Sequence, residues 1–203
     1  MSDQVTTIEQ LDTLYGAPVP TSILKELDHI TDDYGTLINA SPFVVIATSG
    51  PEGLDCSPRG DPAGFVRIVD EKTLMLPDRR GNNRVDSLRN IVRDPRIALL
   101  FLIPGIGTTM RVNGRAKLTT NLALRESFAM GDKVPACVIV ITVDSIYTQC
   151  QKAIARSKLW DPAEHVSKNA LPTVGQMMQN LSGDFDGKAY DAEYPERMKR
   201  TIY

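Results

Sequence analysis

The densest group of hydrogen-bond donors in this sequence is the stretch DRRGNNRVDSL at residues 78–88. Three arginines and two asparagines surround one glycine, directly before an apolar helical pattern that begins near Val85. A glycine-containing turn that leads into a helix N-terminus presents free backbone amides and the positive end of the helix dipole. Asn82, Asn83 and Arg84 add side-chain donors, and a guanidinium can bind two phosphate oxygens at once. The stretch is therefore typical of a phosphate-binding turn, although the same residue types also occur in turns that only face water.

A second polar stretch, SPRGDPAGF at residues 57–65, could contribute to the same site. Pro58 and Pro62 restrict its backbone, and Arg59 lies where one predicted strand ends before the next begins. If the two stretches lie side by side, they form a cradle for a phosphate. Neither stretch is a P-loop or a dinucleotide turn, because the chain contains no GxxxxGKS/T and no GxGxxG pattern.

The overall composition argues against several classes of protein. The chain has 203 residues, is 42% hydrophobic and 24% charged, and carries a formal charge of −2. With that charge, no overall basic field recruits nucleic acid or an anionic membrane. The three cysteines form no CxxC motif, which predicts free thiols and a cytoplasmic, reducing location. The two histidines lack the spacing of zinc ligands, so no metal site is expected.

Neither export nor membrane insertion is expected from the sequence. The first ten residues, MSDQVTTIEQ, contain no basic region and no apolar core, so we predict no signal peptide. The longest apolar run, residues 97–103, is too short to span a bilayer.

The hydrophobic pattern changes from helical to strand-like near residue 41. TTIEQLDTLYG and SILKELDHI have helical spacing, with Thr6 or Thr7 as a cap and Gly16 as a stop. Short β-branched segments then follow in the order four strands, helix, two strands, helix, strand. The long strand TTMRVNGRAKLTT is expected to bend at Asn113 and Gly114. Short turns between the strands predict a mostly antiparallel sheet that closes into a small barrel.

Two further helices are predicted near the end of the chain, at TVGQMMQNL and AYDAEYPERMKRTIY. The pattern contains no internal repeat and no linker, which favours a single domain over residues 1–203. Its predicted parts are a helical segment at 1–40, a barrel at about 41–150 and a C-terminal helical extension at 151–203.

The order of these segments and several of their motifs resemble a known family. The resemblance runs from SPRGDPAGF through DRRGNNRVDSL to RIALLFLIPG and continues in TTMRVNGRAKLTT. These segments are similar to pyridoxamine 5′-phosphate oxidase-like flavoproteins, and they look closest to the bacterial branch of FMN-binding proteins. The similarity covers roughly residues 35–160. It implies a mainly β fold with flanking helices, a six-stranded antiparallel split β-barrel of the FMN-binding type. It also implies a homodimer with FMN in the cleft between the subunits.

The resemblance assigns roles to residues of the two polar stretches. The run GNNR stands where the family has residues that bind the FMN phosphate, which points to Asn83 and Arg84 with Asn82 beside them. Arg67 takes the place of a phosphate-binding lysine. An arginine of the family falls near Pro62 here, a mismatch for which Arg59 could compensate.

The resemblance also implies contacts with the flavin ring. Leu76 and Pro77 stand where backbone contacts to the flavin edge are expected. Thr109 stands at a glutamine that contacts the isoalloxazine ring, and Arg111 is close by.

The segment CQKAIARSKLWDP, at residues 150–162, is similar to a signature of the bacterial branch. It follows the last predicted strand, which would bring Lys152, Arg156 and Trp160 to the rim of the cleft. A cation there would stabilise an anionic reduced flavin, and Trp160 would stack on or beside the ring. The alternative is that Trp160 packs in the core or in a dimer contact while the cations face water.

The resemblance implies an FMN-dependent oxidoreductase that takes a hydride or electrons from a nicotinamide or similar donor. The tryptophan-containing tail with which the true oxidase grips its substrate is absent from this sequence, so the substrate stays open. No pair of carboxylates and no nucleophile with a partnered base stands out. Two alternatives therefore remain: a non-catalytic flavin-binding carrier or sensor, and a split barrel that binds haem or a deazaflavin. RNA binding through the arginine turn is disfavoured by the net negative charge.

Overall fold

The computed structural model describes residues 3–203, which form a seven-stranded antiparallel sheet flanked by helices. The strands are β1 (Phe43–Gly50), β2 (Gly53–Gly60), β3 (Arg67–Asp70), β4 (Thr73–Pro77), β5 (Arg96–Leu102), β6 (Thr109–Thr119) and β7 (Val138–Gln149). The helices are α1 (Ile8–Tyr15), α2 (Pro20–Leu24), α3 (Asp32–Ala40), α4 (Asp86–Arg93), α5 (Leu122–Glu126), α6 (Lys152–Ser157), α7 (Val174–Leu181) and α8 (Gly187–Thr201). The predicted order of strands and helices through the barrel is confirmed.

The sheet is hydrogen-bonded in the order β2-β1-β5-β6-β7-β4-β3, and each neighbouring pair is antiparallel. Burial alternates along the strands: Val44, Ile46 and Leu99 point into the core, and the residues between them face outward. β2 and β3 lie at opposite ends of the order, so the barrel is open between them. The fold is therefore the predicted split β-barrel, mainly β with flanking helices.

The predicted number of six strands is wrong by one. β3 is a separate four-residue strand that pairs with β4 through a tight turn and forms one end of the sheet. The hydrophobic pattern itself contains seven strand-like segments, and the count of six came from the family resemblance.

The predicted bend in β6 is confirmed. The register between β6 and β7 shifts between Asn113 and Gly114, as at a β-bulge. A Cβ at Gly114 would overlap the backbone carbonyl of Thr142 on β7, so glycine lets the two strands approach closely there.

The N-terminal helices agree with the sequence pattern only in part. α1 is capped by Thr7, as predicted. The predicted helix after Pro20 ends at Leu24, and the prediction is wrong beyond that residue. The backbone of Leu27 instead exchanges hydrogen bonds of 3.0 and 2.8 Å with Ile146 of β7, and that pairing competes with helix formation.

The two helices predicted near the end of the chain are confirmed as α7 and α8. They pack against each other, with Gly175 and Gly187 as their buried residues. Over residues 3–203, no helix combines the length and the apolar composition that crossing a bilayer requires.

Candidate functional site

A cleft of about 910 Å³ lies between β2 and the segment that connects β4 to α4. One wall is formed by residues 55–60 of β2, and the opposite wall by residues 77–88. Phe65, residues 134–137, which precede β7, and Ile202 complete the lining. The two polar stretches of the sequence therefore lie side by side, as they must if they are to form one phosphate cradle.

The start of α4 opens into this cleft with its backbone amides uncapped. Its N-cap residue is Val85, and within the described chain no side chain caps the helix. Val85 and Asn83 both adopt left-handed backbone conformations, with φ of 52° and 63°. That conformation is unfavourable for a β-branched residue, so the tertiary structure must hold the turn in this shape. The first-turn amides and the helix dipole therefore favour an anion at this end of the cleft.

The side chains of the GNNR run are arranged around this turn. The Asn82 side-chain oxygen accepts a hydrogen bond of 3.1 Å from the backbone N–H of Arg84. Arg84 donates through Nε to Asp86 at 2.9 Å, and its side chain is 77% exposed. An exposed ion pair of this kind contributes little to stability, so the guanidinium is available to a stronger anion.

Arg59 and Asp78 form an ion pair across the cleft. Arg59 Nη1 donates to Asp78 Oδ1 at 2.6 Å, and the two side chains are 19% and 13% exposed. The Nε of Arg59 is buried and has no hydrogen-bond partner among residues 3–203. A buried donor without a partner is costly, and an acceptor on a bound ligand would relieve that cost.

Arg79 forms a second ion pair beside the first. Its Nε donates to Asp61 Oδ2 at 2.6 Å, and its Nη1 donates to the carbonyl of Phe128 at 2.6 Å. The hydroxyl of Tyr203 donates to the other oxygen of Asp61 at 2.7 Å. The two ion pairs cross-link the end of β2 to the end of β4, so both walls of the cleft are held in place.

The charge of the cleft favours an anionic ligand by a small margin. The arginines that line it are Arg59, Arg79, Arg80 and Arg84, and the aspartates are Asp55, Asp78 and Asp86. Asp55 accepts a hydrogen bond from the Ser87 hydroxyl. Arg80 is exposed and has no ion-pair partner in the part of the chain that the structure describes.

The structure places five of the sequence-predicted site residues in this cleft. They are Arg59, Pro77, Asn82, Asn83 and Arg84. Leu76 adjoins them along β4, but its side chain lies in the hydrophobic core. Arg67 lies outside the lining: it donates to the Ser127 hydroxyl at 2.9 Å, and its guanidinium lies 4.0 Å from the centre of the Phe128 ring.

The other predicted site residues lie elsewhere on the same chain. Thr109 and Arg111 are outward-facing residues of β6, and Arg111 donates to the Tyr147 hydroxyl at 3.0 Å.

Trp160 donates through its ring nitrogen to the carbonyl of Ile106 at 2.9 Å, and it is partly buried. Lys152 and Arg156 are exposed on α6. The chain alone does not bring this second group of predicted residues to the cleft.

Several cleft residues were missed by sequence reasoning. Asp78 is the partner of Arg59, and Asp61 is the partner of Arg79. Arg79 and Arg80 both belong to the stretch at residues 78–88. Their contacts distinguish them, because Arg79 pairs with Asp61 whereas Arg80 has no ion-pair partner in the described chain. The approach of Ile202 and Tyr203 had no signal in the sequence, because it depends on how α8 folds back.

Two of the three free cysteines line the cleft. Cys56 is exposed, whereas Cys137 is buried. Burial, and to a smaller extent the nearby charge of Asp78, raises the pKa of the Cys137 thiol to about 11. Cys137 is thus a protonated packing residue at neutral pH.

Comparison with known proteins gives a family match and several similar structures. A family model described as pyridoxamine 5′-phosphate oxidase matches residues 30–150, and the members of that family typically bind a flavin. Curated protein sequences give no significant match.

Among solved structures, HupZ of Group A Streptococcus is 25% identical, with 59% of this chain and 99% of that chain covered and a TM-score of 0.49. A Lactobacillus delbrueckii protein provisionally assigned as a pyridoxamine 5′-phosphate oxidase is 18% identical, with 61% and 98% covered and a TM-score of 0.48. A Clostridium acetobutylicum protein related to general stress protein 26 is 15% identical, with 58% and 86% covered and a TM-score of 0.44. The family match includes all the strands of the barrel.

Proposed function

Because this chain belongs to the pyridoxamine 5′-phosphate oxidase family, we propose that its cleft binds FMN and that the protein is an FMN-dependent oxidoreductase. The observation that carries the proposal is the uncapped N-terminus of α4, which opens into the cleft beside Asn82, Asn83 and Arg84. Backbone amides, amide side chains and an exposed guanidinium are the groups that bind a phosphate monoester.

The cleft meets the other requirements of FMN. Its volume of about 910 Å³ lies within the range of roughly 300–1,000 Å³ that is typical of cofactor sites. Arg80 is free to add a second positive charge, and the unpartnered Nε of Arg59 offers a donor within the same cleft. The flavin ring would then extend from the phosphate end toward Pro77 and the outer edge of β2.

FMN, when bound, supplies the redox chemistry by accepting a hydride from a donor such as a nicotinamide and returning electrons to a small acceptor or to oxygen. The residues of the chain need only bind the cofactor, orient it and exclude water. This division of work is consistent with a cleft in which Arg59 and Arg79 are paired with aspartates and the buried thiol of Cys137 stays protonated.

We further propose that the active form is a homodimer with FMN between the subunits. Across the outer face of the sheet, Pro58, Val45, Leu100, Arg111 and Tyr147 are direct neighbours on successive strands. Three of these five are apolar, and a second copy packed on this face would cover them. The same packing would bring Arg111 from one subunit toward the cleft of the other, and the segment around Trp160 would follow. The free thiols are consistent with a cytoplasmic location.

A flavin-binding protein without turnover is the second candidate. It is favoured by one observation: all three aspartates that line the cleft of the described chain, Asp55, Asp78 and Asp86, are already hydrogen-bonded to cleft side chains, and none is a free acid or base. Turnover with a nicotinamide donor separates this candidate from the oxidoreductase.

The proposal is tested first by the visible absorption spectrum of the purified protein and by identification of the released chromophore. We expect a flavin spectrum, FMN as the chromophore, and bleaching by NADH or NADPH followed by recovery in air. Bound FMN that no nicotinamide reduces would support the carrier or sensor. A haem or deazaflavin spectrum, or a colourless protein that takes up no added FMN, would contradict the proposal.

A further inference from the structure

The helices α7 and α8 form a stiff hairpin whose far end reaches the cleft. At their crossing, the backbones of Gly175 and Gly187 approach so closely that a Cβ on either residue would overlap the other's carbonyl. Asp191 of α8 accepts hydrogen bonds from the backbone N–H of Gly175, at 2.9 Å, and from the Thr173 hydroxyl. The start of α7 is thus tied to α8, and the direction of α8 is fixed relative to α7.

The end of α8 is attached to the cleft through Tyr203. Its hydroxyl donates to Asp61 at 2.7 Å, and Asp61 has a side chain that is only 1% exposed. Arg79 binds the other carboxylate oxygen and lies 5.5 Å from the centre of the Tyr203 ring. The neighbouring residue, Ile202, lines the cleft itself. A buried carboxylate already fixed by an arginine is a rigid acceptor, so this hydrogen bond, together with the contact to Arg79, fixes the position of Tyr203.

We propose that Tyr203 is a positioning residue that holds the end of α8 across the cleft as a strap and thereby slows the release of the bound nucleotide. This inference rests on the proposed binding of FMN and extends it to the retention of the cofactor. The phosphate end of the cleft is open to solvent at Arg84, so FMN needs a second restraint along its length. Ile202 supplies that restraint only while Tyr203 is bound to Asp61.

The chemistry of the Tyr203 hydroxyl is consistent with this role. Its hydrogen bond to Asp61 raises the pKa of the Tyr203 phenol above its ordinary value of 10.0. The protonated phenol is the form that donates to Asp61, so the attachment persists throughout the neutral range and is lost only as the pH rises through that raised pKa.

The test compares Tyr203→Phe with Tyr194→Phe as a matched control. Tyr194 lies on the same helix, is 45% exposed, and its hydroxyl has no hydrogen bond among residues 3–203. The first measurement is hydrogen exchange of residues 187–203 in the FMN-free chain. The second is the rate at which bound FMN is released after dilution into a flavin scavenger. The thermal midpoint of each variant is recorded alongside, because a general loss of structure would lower it.

We expect Tyr203→Phe to raise exchange at the end of α8 and to release FMN about fivefold faster, the usual effect of one hydrogen bond, while its thermal midpoint falls by no more than about 4 °C. Tyr194→Phe should match the wild type in all three measurements. If Tyr203→Phe releases FMN at the wild-type rate, the strap is overturned while the proposed function stands, whatever the exchange shows. If the wild-type chain binds no FMN, the proposed function falls and the strap falls with it.

Discussion

The arginine side chains of the cleft differ in what they can bind, because their own partners differ. Arg59 and Arg79 are held by Asp78 and Asp61 in pairs that are less than one-fifth exposed. Arg84 has only an exposed neighbour, Asp86. In water-exposed pairs the Coulomb attraction is largely screened, whereas pairs with low exposure are both stronger and more costly to break. In the proposed site, Arg84 is therefore the guanidinium most free to bind phosphate, whereas Arg59 and Arg79 also hold the walls of the cleft together.

Replacing Arg84 by alanine should weaken FMN binding without affecting the fold. The loss of one charge-assisted hydrogen bond to phosphate corresponds to about 2 kcal/mol, or roughly a thirtyfold higher Kd. Fluorescence titration of FMN measures this change. Arg89→Ala is the matched control, because Arg89 lies one turn further along α4 and outside the cleft lining. Equal affinities for the two variants would remove Arg84 from the phosphate site.

Replacing Asp78 by alanine should lower the stability of the fold, whereas the Arg84 substitution should affect only FMN binding. The change leaves the Arg59 guanidinium, which is 19% exposed, without its anion. Removing one partner of such a pair costs about 2–3 kcal/mol in the free energy of unfolding. Urea denaturation of the FMN-free chain measures it. Glu196→Ala removes an exposed pair with Lys199 and should cost less than about 1 kcal/mol. A similar effect of both substitutions would show that the cleft pair has no special structural role.

The three cysteines should differ in reactivity because their surroundings differ. Cys56 and Cys150 are exposed, whereas Cys137 is buried and its pKa is raised to about 11. At pH 8 only about one Cys137 thiol in a thousand is ionised in the folded protein, and the thiolate is the reactive form. We expect Ellman's reagent to modify two thiols rapidly and the third only after denaturation. Rapid modification of all three would contradict the burial of Cys137.

At the scale of the elements, the β6 bulge requires a residue without a Cβ at position 114, and this requirement can be tested. Gly114 faces the Thr142 carbonyl so closely that a Cβ would overlap it. Gly114→Ala must push β6 and β7 apart, and overpacking of this kind costs about 2–3 kcal/mol. Gly183→Ala is the control, because no atom lies within 4 Å of the position of its Cβ. The free energy of unfolding of each variant, from urea titration, checks the difference. A neutral Gly114→Ala would mean that the strands can separate at no cost.

Elements with a strong local pattern could be predicted from the sequence, and those that depend on distant pairing could not. α1 has its own cap, and α7 and α8 have helical spacing, so local chemistry was sufficient. The segment around Leu27 has the same helical spacing, yet its backbone pairs with Ile146, which lies more than a hundred residues away. Tertiary pairing overrides local propensity at such positions.

The same distinction holds for the candidate site: its local turn could be predicted from the sequence, but its contacts between distant residues could not. The residue types of the GNNR turn predict a phosphate-binding turn, and the structure places this turn at an uncapped helix start. Arg59 pairs with Asp78 and Arg79 pairs with Asp61. These pairings depend on which carboxylate each guanidinium reaches in the folded chain, so they could not be predicted from the sequence. The contact of Tyr203 with Asp61 joins positions 142 residues apart and is equally invisible.

At the scale of the whole molecule, most of the predicted site residues fall into two groups that lie apart on the chain. The first group lines the cleft, and the second lies on the outer face of β6 and on the segment from α6 to Trp160. No residue of the second group lines the cleft of the described chain. In the homodimer that we propose, a two-fold related copy would bring each subunit's outer face to the other's cleft.

The proposed dimer should be disrupted by a charge at Leu100, which is half-buried on the outer face of β5 between Val45 and Arg111. A glutamate there would put a charge into the proposed contact, so Leu100→Glu should be a folded monomer in sedimentation analysis and should lose FMN on dilution. Leu122→Glu, on the exposed surface of α5, should remain a dimer and retain FMN. A Leu100→Glu dimer would exclude this face as the interface. A Leu100→Glu monomer that binds FMN as tightly as the wild type would show that one chain's cleft is complete, because the loss of the partner's Arg111 and Trp160 would then carry no cost.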